Sequence, residues 1–205
     1  MYDAFDMRHN RGLCTMHVPH RLSASLLYQL PFRNLQGVAG ALLQGWSFSG
    51  ILQLSDGAPF GPRMEFPRSN SFVASGNSRQ ERPDLAPGVD VKSIIHPGNP
   101  LQYYDPSAFV LQPEGFLGNS GRNILIGPGL ANLDFSVARN FPLRGEDFKL
   151  QWRSEFFNLF NRVNFGLPEW RIFTDTSGRP NPAAGRITNT STKSRQVQFS
   201  LKLLF

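Results

Sequence analysis

Four potential metal ligands lie close together near the N-terminus: His9, Cys14, His17 and His20. Histidine and cysteine are zinc ligands, but the spacing C-x-x-H-x-x-H is not one of the usual zinc patterns. The segment also leads directly into a strand-like pattern, which favours an approach to a strand over a metal site. Nothing in the sequence fixes a base beside Cys14, as a cysteine nucleophile would require. We therefore predict no metal site and no catalytic cysteine.

The acidic side chains that could act as general acids or bases are dispersed along the chain. They are Asp84, Asp90, Asp105, Glu114, Asp134 and Glu155. Glycoside hydrolysis, for example, needs two convergent carboxylates, which this distribution does not predict. The glycine-rich run at 118–129 lacks the Lys-Ser/Thr of a phosphate-binding loop and the spacing of a dinucleotide fingerprint. The sequence therefore predicts neither catalytic residues nor a cofactor, and we expect that the protein is not an enzyme.

Composition narrows the class of protein further. Of the 205 residues, 40% are hydrophobic and 18% are charged, which is too apolar for a disordered chain. No apolar run approaches the length of a transmembrane helix, and the first twelve residues contain no apolar signal-peptide core. The net charge is +6, but the arginines are scattered along the sequence without a basic, aromatic-rich stripe. We therefore expect no nucleic-acid partner.

The strongest signal is an alternation of apolar and polar residues. It covers five segments, near 21–30, 46–55, 133–141, 148–160 and 196–205, and no segment shows a convincing helical period. Alternation puts apolar side chains on one face of a strand and polar side chains on the other. About nine to eleven residues is the length at which a tilted strand crosses a bilayer. We predict an all-β fold: an antiparallel transmembrane β-barrel segment of about five long strands, which is an incomplete barrel.

The connections between these segments alternate in length. Segments 31–45 and 142–147 are the shorter ones, whereas 57–130 and 162–195 are long and rich in turn residues. Membrane barrels have short periplasmic turns and long external loops, so the long segments are predicted to be external. The alternative is a soluble β-sandwich binding module whose long loop binds a ligand or a carbohydrate.

The end of the chain favours the membrane barrel. The last strand carries alternating apolar residues and reaches the terminal residue. That row is Val197, Phe199, Leu201, Leu203 and Phe205. A soluble sandwich gains nothing from an apolar strand that ends with the chain. We interpret the row as a signal for the barrel-assembly machinery.

The same alternation predicts which side chains meet lipid and which face the lumen. Leu150 and Trp152 are predicted to meet lipid. The polar residues predicted to face the lumen are Asp134, Lys149, Gln151, Arg153 and Glu155. Their expected contacts are charge pairs across neighbouring strands.

Three segments, 121–143, 150–168 and 185–205, resemble the C-terminal end of Oar-like TonB-dependent receptors of the acidobacterial type. Upstream motifs fit the same family in the same order. They are PHRLSASLLYQLPF (19–32), GWSFSGILQLSDGAPF (45–60), RPDL (82–85) and YYDPSAF (103–109). The resemblance implies a nutrient transporter of the outer membrane, with a barrel of about 22 strands and a plugged lumen.

The chain departs from that family in having no counterpart of its plug, its TonB box or its N-terminal domain. Five strands are also fewer than the even number, about eight or more, in a single-chain bacterial barrel. Residues 1–205 are therefore expected to be the C-terminal part of a longer receptor. The implied partners are outer-membrane lipid, the remaining strands and plug of the same receptor, and the barrel-assembly machinery. TonB would be reached only through the N-terminal parts.

Overall fold

The computed structural model describes residues 7–32, 36–69, 81–144 and 148–205. Its backbone separates into two compact units. We call His20–Ser55, Leu130–Asn164 and Thr192–Phe205 the sheet unit, and we call the residues up to Pro19, Asp56–Gly129 and Phe165–Ser191 the core unit. None of the helices in the described ranges is long and apolar enough to cross a membrane.

The sheet unit contains the strands β1 (Arg21–Gln29), β2 (Trp46–Ser55), β7 (Leu130–Arg144), β8 (Phe148–Phe157) and β9 (Gln196–Leu204). They form one antiparallel sheet in the order β1-β2-β7-β8-β9. The predicted all-β class is confirmed. Each strand has nine or more residues, so each reaches the length that a tilted strand needs to cross a bilayer.

Two of the predicted strands have different boundaries in the structure. Strand β7 extends beyond 133–141 at both ends, and β8 stops at Phe157 instead of residue 160. Asn158 and Asn161 both have φ of 51°, in the left-handed region, which interrupts an extended strand. Apolar residues continue through Phe160, so hydrophobicity alone does not predict this turn.

Pro142 lies inside β7, although proline cannot donate a ladder hydrogen bond. The N–H of Asn140 donates to the Gly45 carbonyl at 3.0 Å, and residue 142 points its nitrogen to that same side, beyond the start of β2. A register shift against β8 follows between Pro142 and Arg144. The proline is therefore tolerated because that side of β7 has no neighbouring strand there. Residues 145–147 of the predicted 142–147 turn lie outside the described residues.

The 31–45 connection contains a short helix, α1 (Gly37–Leu43), which the sequence reading missed. The sequence shows no convincing helical period here, because seven residues make only two turns and leave little periodicity to detect. The Trp46 indole N–H donates to the Leu42 carbonyl at 2.7 Å. That bond ties the end of the helix to the start of β2.

The core unit contains most of the two segments, 57–130 and 162–195, that are predicted to be long loops. It holds the short strand pairs β3 (Pro59–Phe60) with β6 (Leu125–Ile126), and β4 (Asp84–Leu85) with β5 (Phe109–Val110). Its buried cluster consists of Phe60, Met64, Ile94, Tyr103, Tyr104, Ala108, Phe109, Leu125, Ile172, Phe173 and Ala184. Irregular backbone therefore packs around its own core. Residues 70–80 of the 57–130 segment lie outside the described residues.

Tyr104 is the centre of that core. It is fully buried, with its ring 5.8 Å from Phe60 and 6.3 Å from Phe109, measured between ring centroids. Its hydroxyl donates to the Glu169 carbonyl at 2.8 Å, so the polar end of the side chain is satisfied. Burial raises the pKa of Tyr104 well above its ordinary value. The tyrosine thus joins the 57–130 and 162–195 segments through both packing and a hydrogen bond.

Candidate membrane-spanning surface

Strand register keeps the apolar residues of the sheet unit on one face. One row across the sheet is formed by Leu26, Gly50, Phe135, Phe156 and Val197, each paired with the next. Because side chains alternate along every strand, the residues two positions away share that face. We call it the apolar face. It contains Leu150 and Trp152 together with the predicted assembly row from Val197 to Leu203.

The opposite face carries most of the polar residues of the sheet, together with Leu27, Ile51, Phe157 and Leu204, and we call it the polar face. A row next to the one above is formed by Leu27, Ser49, Ser136, Glu155 and Gln198. All five residues predicted to face the lumen lie on this face. The alternation seen separately in each strand is therefore in phase across the whole sheet.

Aromatic rings gather at the end of the apolar face where β2 begins. The Trp46 ring lies 6.4 Å from Phe48 in a stacked arrangement and 6.1 Å from Trp152 edge-on. Phe48 in turn stacks on Phe135 at 6.3 Å. Such a band of rings is typical of the interfacial girdle of a membrane barrel.

Arg139 is the charged residue within this aromatic group. It pairs with Trp46 and Trp152 in the register, and so it lies on the apolar face. Its guanidinium carbon lies 5.2 Å from the Trp46 ring centroid and 4.6 Å from that of Phe141. Its Nε–H donates to the Gln44 carbonyl at 3.2 Å. Cation–π contacts of this kind stabilise a cation beside apolar surface.

The polar face is held by hydrogen bonds more than by charge pairs across strands. Arg153 pairs with Glu155 of its own strand at 3.6 Å, and the Gln151 amide donates to Asn140 of β7 at 2.9 Å. In the register, Glu155 faces Ser136 and Gln198. The prediction of charge pairs between neighbouring strands is therefore wrong for Arg153 and Glu155, which pair within β8.

The other two charged residues of the predicted lumen set also lack an opposite charge in register. Asp134 faces Ile51 and accepts from the Asn132 side chain and the Asn158 backbone N–H, both at 2.9 Å. Lys149 faces Pro142 and Leu204. Whether this face lines a lumen stays a prediction.

Three asparagines that follow β8 form a ladder that the sequence reading missed. The Asn158 side chain accepts from the Arg162 N–H and donates to the carbonyls of Arg162 and Lys193. We call Asn158, Asn161 and Asn164 the asparagine ladder; their spacing of three residues in FFNLFNRVNF was the available signal.

The remaining members of the ladder reach the neighbouring strands of the sheet unit. Asn161 accepts from the Arg195 N–H at 2.9 Å, just before β9. Asn164 accepts from the Ala131 N–H at 3.0 Å, at the start of β7, and donates to the Thr192 hydroxyl at 2.9 Å. The ladder therefore fixes β7, β8 and β9 at one end of the sheet.

The last strand presents its apolar residues to the surroundings. Val197, Phe199, Leu201 and Leu203 are all exposed, and Phe205 is 99% exposed. Strand β9 is an edge strand of this sheet and ends at Leu204. An exposed row of large apolar side chains is unstable in water, so it indicates a lipid or protein surface beside it.

The core unit contains a buried carboxylate whose hydrogen bonds are satisfied. Glu81 is almost fully buried, and its oxygens accept from the backbone N–H groups of Arg68 and Ser69. The Ser69 hydroxyl donates at 2.6 Å and the Gln112 amide at 3.2 Å. These bonds connect residues 69 and 81, on either side of the segment that the structure does not describe.

Arg63 lies near two arginines of the core unit that are far from it in the sequence. Burial, followed by the charges of Arg122 and Arg82, lowers the pKa of Arg63 below its ordinary value. Backbone contacts explain the proximity, because Met64 pairs with Glu81 and Gly61 packs against Asn123. Arginines that are dispersed in the sequence are therefore brought near one another by the fold of the core unit.

The Trp170 ring lies close to two arginines in the same unit. The guanidinium carbons of Arg63 and Arg171 are 5.9 Å and 6.0 Å from its ring. Arg171 also pairs with Glu169 at 2.7 Å, and its hydrogen bond holds the pKa of that carboxyl below the usual value. These contacts connect residue 63 to residues 169–171, where Arg63 and Arg171 also form an isolated backbone bridge.

The candidate metal ligands do not come together. Cys14, His17 and His20 are exposed, and the side chain of His9 lies outside the described residues. Within the ranges that the structure describes, no three His, Cys, Asp or Glu side chains are placed to share a metal ion. The absence of a metal and of a cofactor stays a prediction.

Comparison with known proteins agrees with the two-faced sheet. A family model described as an outer membrane beta barrel domain matches residues 1–198. No curated protein and no solved structure matches the chain.

Proposed function

Since this chain belongs to the outer membrane beta barrel domain family, we propose that it forms part of the wall of a TonB-dependent receptor for nutrient uptake. The family places the chain in the outer membrane and excludes the soluble β-sandwich alternative. In this proposal, residues 1–205 are the C-terminal part of the receptor barrel.

One observation carries the proposal of a barrel wall: the alternation is in phase across five paired strands. An antiparallel sheet of a soluble protein can also have one apolar face, but it buries that face against a core. Here the sheet has an apolar and a polar face, and Leu26, Phe199 and Leu201 of the apolar face are more than 60% exposed. Lipid requires such an outer face, and a water-filled or plugged lumen suits the other. We assign the apolar face to lipid and the polar face, with Asp134, Lys149, Gln151, Arg153 and Glu155, to the lumen.

Both edges of this sheet are strands of the sheet unit, β1 and β9. Unpaired backbone groups are costly in hydrocarbon, so in the membrane each edge must meet another strand. We propose that the partners are the remaining strands of the same receptor. Closure of the barrel would then satisfy the free backbone groups of both edges.

The TonB-dependent assignment is supported by the order of the motifs that resemble Oar-like receptors. Those motifs run from residue 19 to the end of the chain in the family's order. The chain would supply wall, external segments and an assembly signal, whereas energy coupling through TonB would require the receptor's plug and TonB box. We propose no catalytic activity, cofactor or nucleic-acid partner for this part.

Capture by TonB tests the proposal. The complete receptor, purified from outer membranes in mild detergent, is passed over the immobilised periplasmic domain of TonB from the same organism. We expect retention, while a porin from the same membranes should pass through. Equal retention of the two proteins would contradict the assignment to a TonB-dependent receptor. It would not contradict the assignment to the outer membrane beta barrel family.

A further inference from the structure

Two adjoining cavities open in the sheet unit and together form a groove along β2 and β7. The first measures about 380 Å³ and includes Arg162 in its lining, and the second measures about 270 Å³ and includes Phe48 and Gly50. Leu52 and Leu133 line both. The groove therefore has leucine walls along its middle and a cation at one end.

Small residues on the apolar face create this groove. Gly50 lies between Leu26 and Phe135 in the register, and Ala131 lies opposite Leu54. A β-carbon added at Gly50 would come no closer than 3.7 Å to a neighbour, so backbone crowding does not require a glycine there. The missing side chain leaves a depression between large apolar neighbours.

The length of the groove matches one leaflet of a membrane. Leu54 and Phe48 line its two parts and are six residues apart on β2. At about 3.3 Å per residue this is roughly 20 Å along a tilted strand. Half of a hydrocarbon core of about 30 Å is of similar size. An acyl chain that enters from one surface could therefore lie along the groove.

Arg162 stands at one end of the groove on a well-fixed backbone. Its N–H and carbonyl are both bonded to the Asn158 side chain at 2.9 Å, and its own side chain is exposed. Phe160, which is 75% exposed, lines the same cavity. Guanidinium groups bind phosphate oxygens in pairs, and long cationic side chains at a membrane surface extend toward charged headgroups.

We infer that this groove binds an anionic, phosphate-bearing membrane lipid, with an acyl chain over Gly50 and the phosphate at Arg162. The inference rests on the proposed assignment of the apolar face to lipid. It goes further, because lipid that merely surrounds a barrel would show no preference for headgroup charge at this place.

The test uses the complete protein transferred into nanodiscs that contain phosphatidylglycerol and phosphatidylcholine in equal amounts. Native mass spectrometry counts the lipids that remain bound after the disc is removed. We expect the parent protein to retain phosphatidylglycerol in preference. The Arg162→Gln variant should reduce that preference about tenfold, the effect of losing one hydrogen bond to a charged group.

Two matched variants control for charge and for side-chain volume. Arg195→Gln removes another exposed arginine of the sheet unit, outside the groove lining, and should leave the preference unchanged. Gly50→Leu fills the groove, whereas Ser23→Leu adds the same side chain to the polar face of β1. We expect loss of the bound lipid only for Gly50→Leu, with heat-modifiable mobility confirming that each variant has folded.

Two results would overturn the inference. They are equal retention of the two lipids by the parent and an Arg195→Gln effect as large as that of Arg162→Gln. A cysteine that replaces Leu150 and carries a nitroxide spin label shows separately whether the apolar face meets lipid. This measurement distinguishes failure of the lipid site from failure of the face assignment. If Leu150 meets lipid and the preference is absent, only the specific site is refuted.

Discussion

Asn158 is the residue whose hydrogen bonds hold together the end of the sheet at which β8 stops. It is 4% exposed, has φ of 51°, and uses its backbone N–H and both side-chain groups in hydrogen bonds. Asparagine tolerates the left-handed region better than most residues do. The same residue thus ends β8 and joins it to the segments that precede β9.

Substitution of Asn158 should destabilise the barrel in two separable ways. Asn158→Ala removes the side-chain hydrogen bonds to Arg162 and Lys193 and strains the backbone, so it should lower the free energy of unfolding by roughly 1–3 kcal/mol from the lost bonds alone. Asn158→Gly loses the same bonds without the strain and should be about 1 kcal/mol more stable than the alanine variant. Urea titrations followed by gel mobility measure both differences. An alanine variant as stable as the parent would refute the ladder.

For Phe205 we make a different prediction, because its side chain has almost no packing contacts within this sheet. At 99% exposure, its deletion should leave the stability of an assembled barrel nearly unchanged. If it is part of the assembly signal, the deletion should instead sharply reduce the amount of receptor that reaches the folded state. Replacement by Tyr or Trp should largely restore it, because those rings suit a membrane interface.

Surface-exposed receptor and heat-modifiable mobility should be compared for the parent, the Phe205 deletion and the Tyr variant. Full assembly of the deletion variant would show that the terminal residue carries no assembly information.

At the scale of elements, the sequence predicted the strands well because each one has two chemically different faces. Period-two alternation located β1, β2, β8 and β9 to within a few residues. It could not locate the end of β8, since that depends on the left-handed backbone of Asn158, nor α1, which is too short to show a period. The core unit was also missed, because its core is assembled from residues with no regular spacing, such as Tyr104 and Ile172.

The two faces of β8 should respond differently to a new charge. Leu150→Arg puts a cation on the proposed lipid face, which costs roughly 2–4 kcal/mol near the middle of the membrane. Gln151→Arg puts the same side chain on the polar face and should be tolerated. Folded receptor in the outer membrane is the measure. Equal losses would mean that the faces are assigned wrongly.

At the scale of the whole molecule, the account predicts which segments are outside the cell. With β9 ending at the periplasmic surface, the 31–45 and 142–147 turns are periplasmic, while 57–130 and 162–195 are external. In the complete receptor with Cys14 replaced by Ser, Ser177→Cys should react with an impermeant maleimide on intact cells, and Arg144→Cys should react only after permeabilisation. Strong labelling at 144 with none at 177 would invert the topology.

The central claim, that the apolar face meets lipid and the polar face meets water, is tested most directly along four successive residues of β8. Leu150, Gln151, Trp152 and Arg153 are each replaced by a spin-labelled cysteine in the complete receptor with Cys14 replaced by Ser. Collision with a lipid-soluble and a water-soluble relaxation agent is then measured in proteoliposomes. The account predicts alternation, with positions 150 and 152 accessible to the lipid-soluble agent and 151 and 153 to the water-soluble one. Uniform accessibility at all four positions, or alternation in the opposite phase, would contradict it.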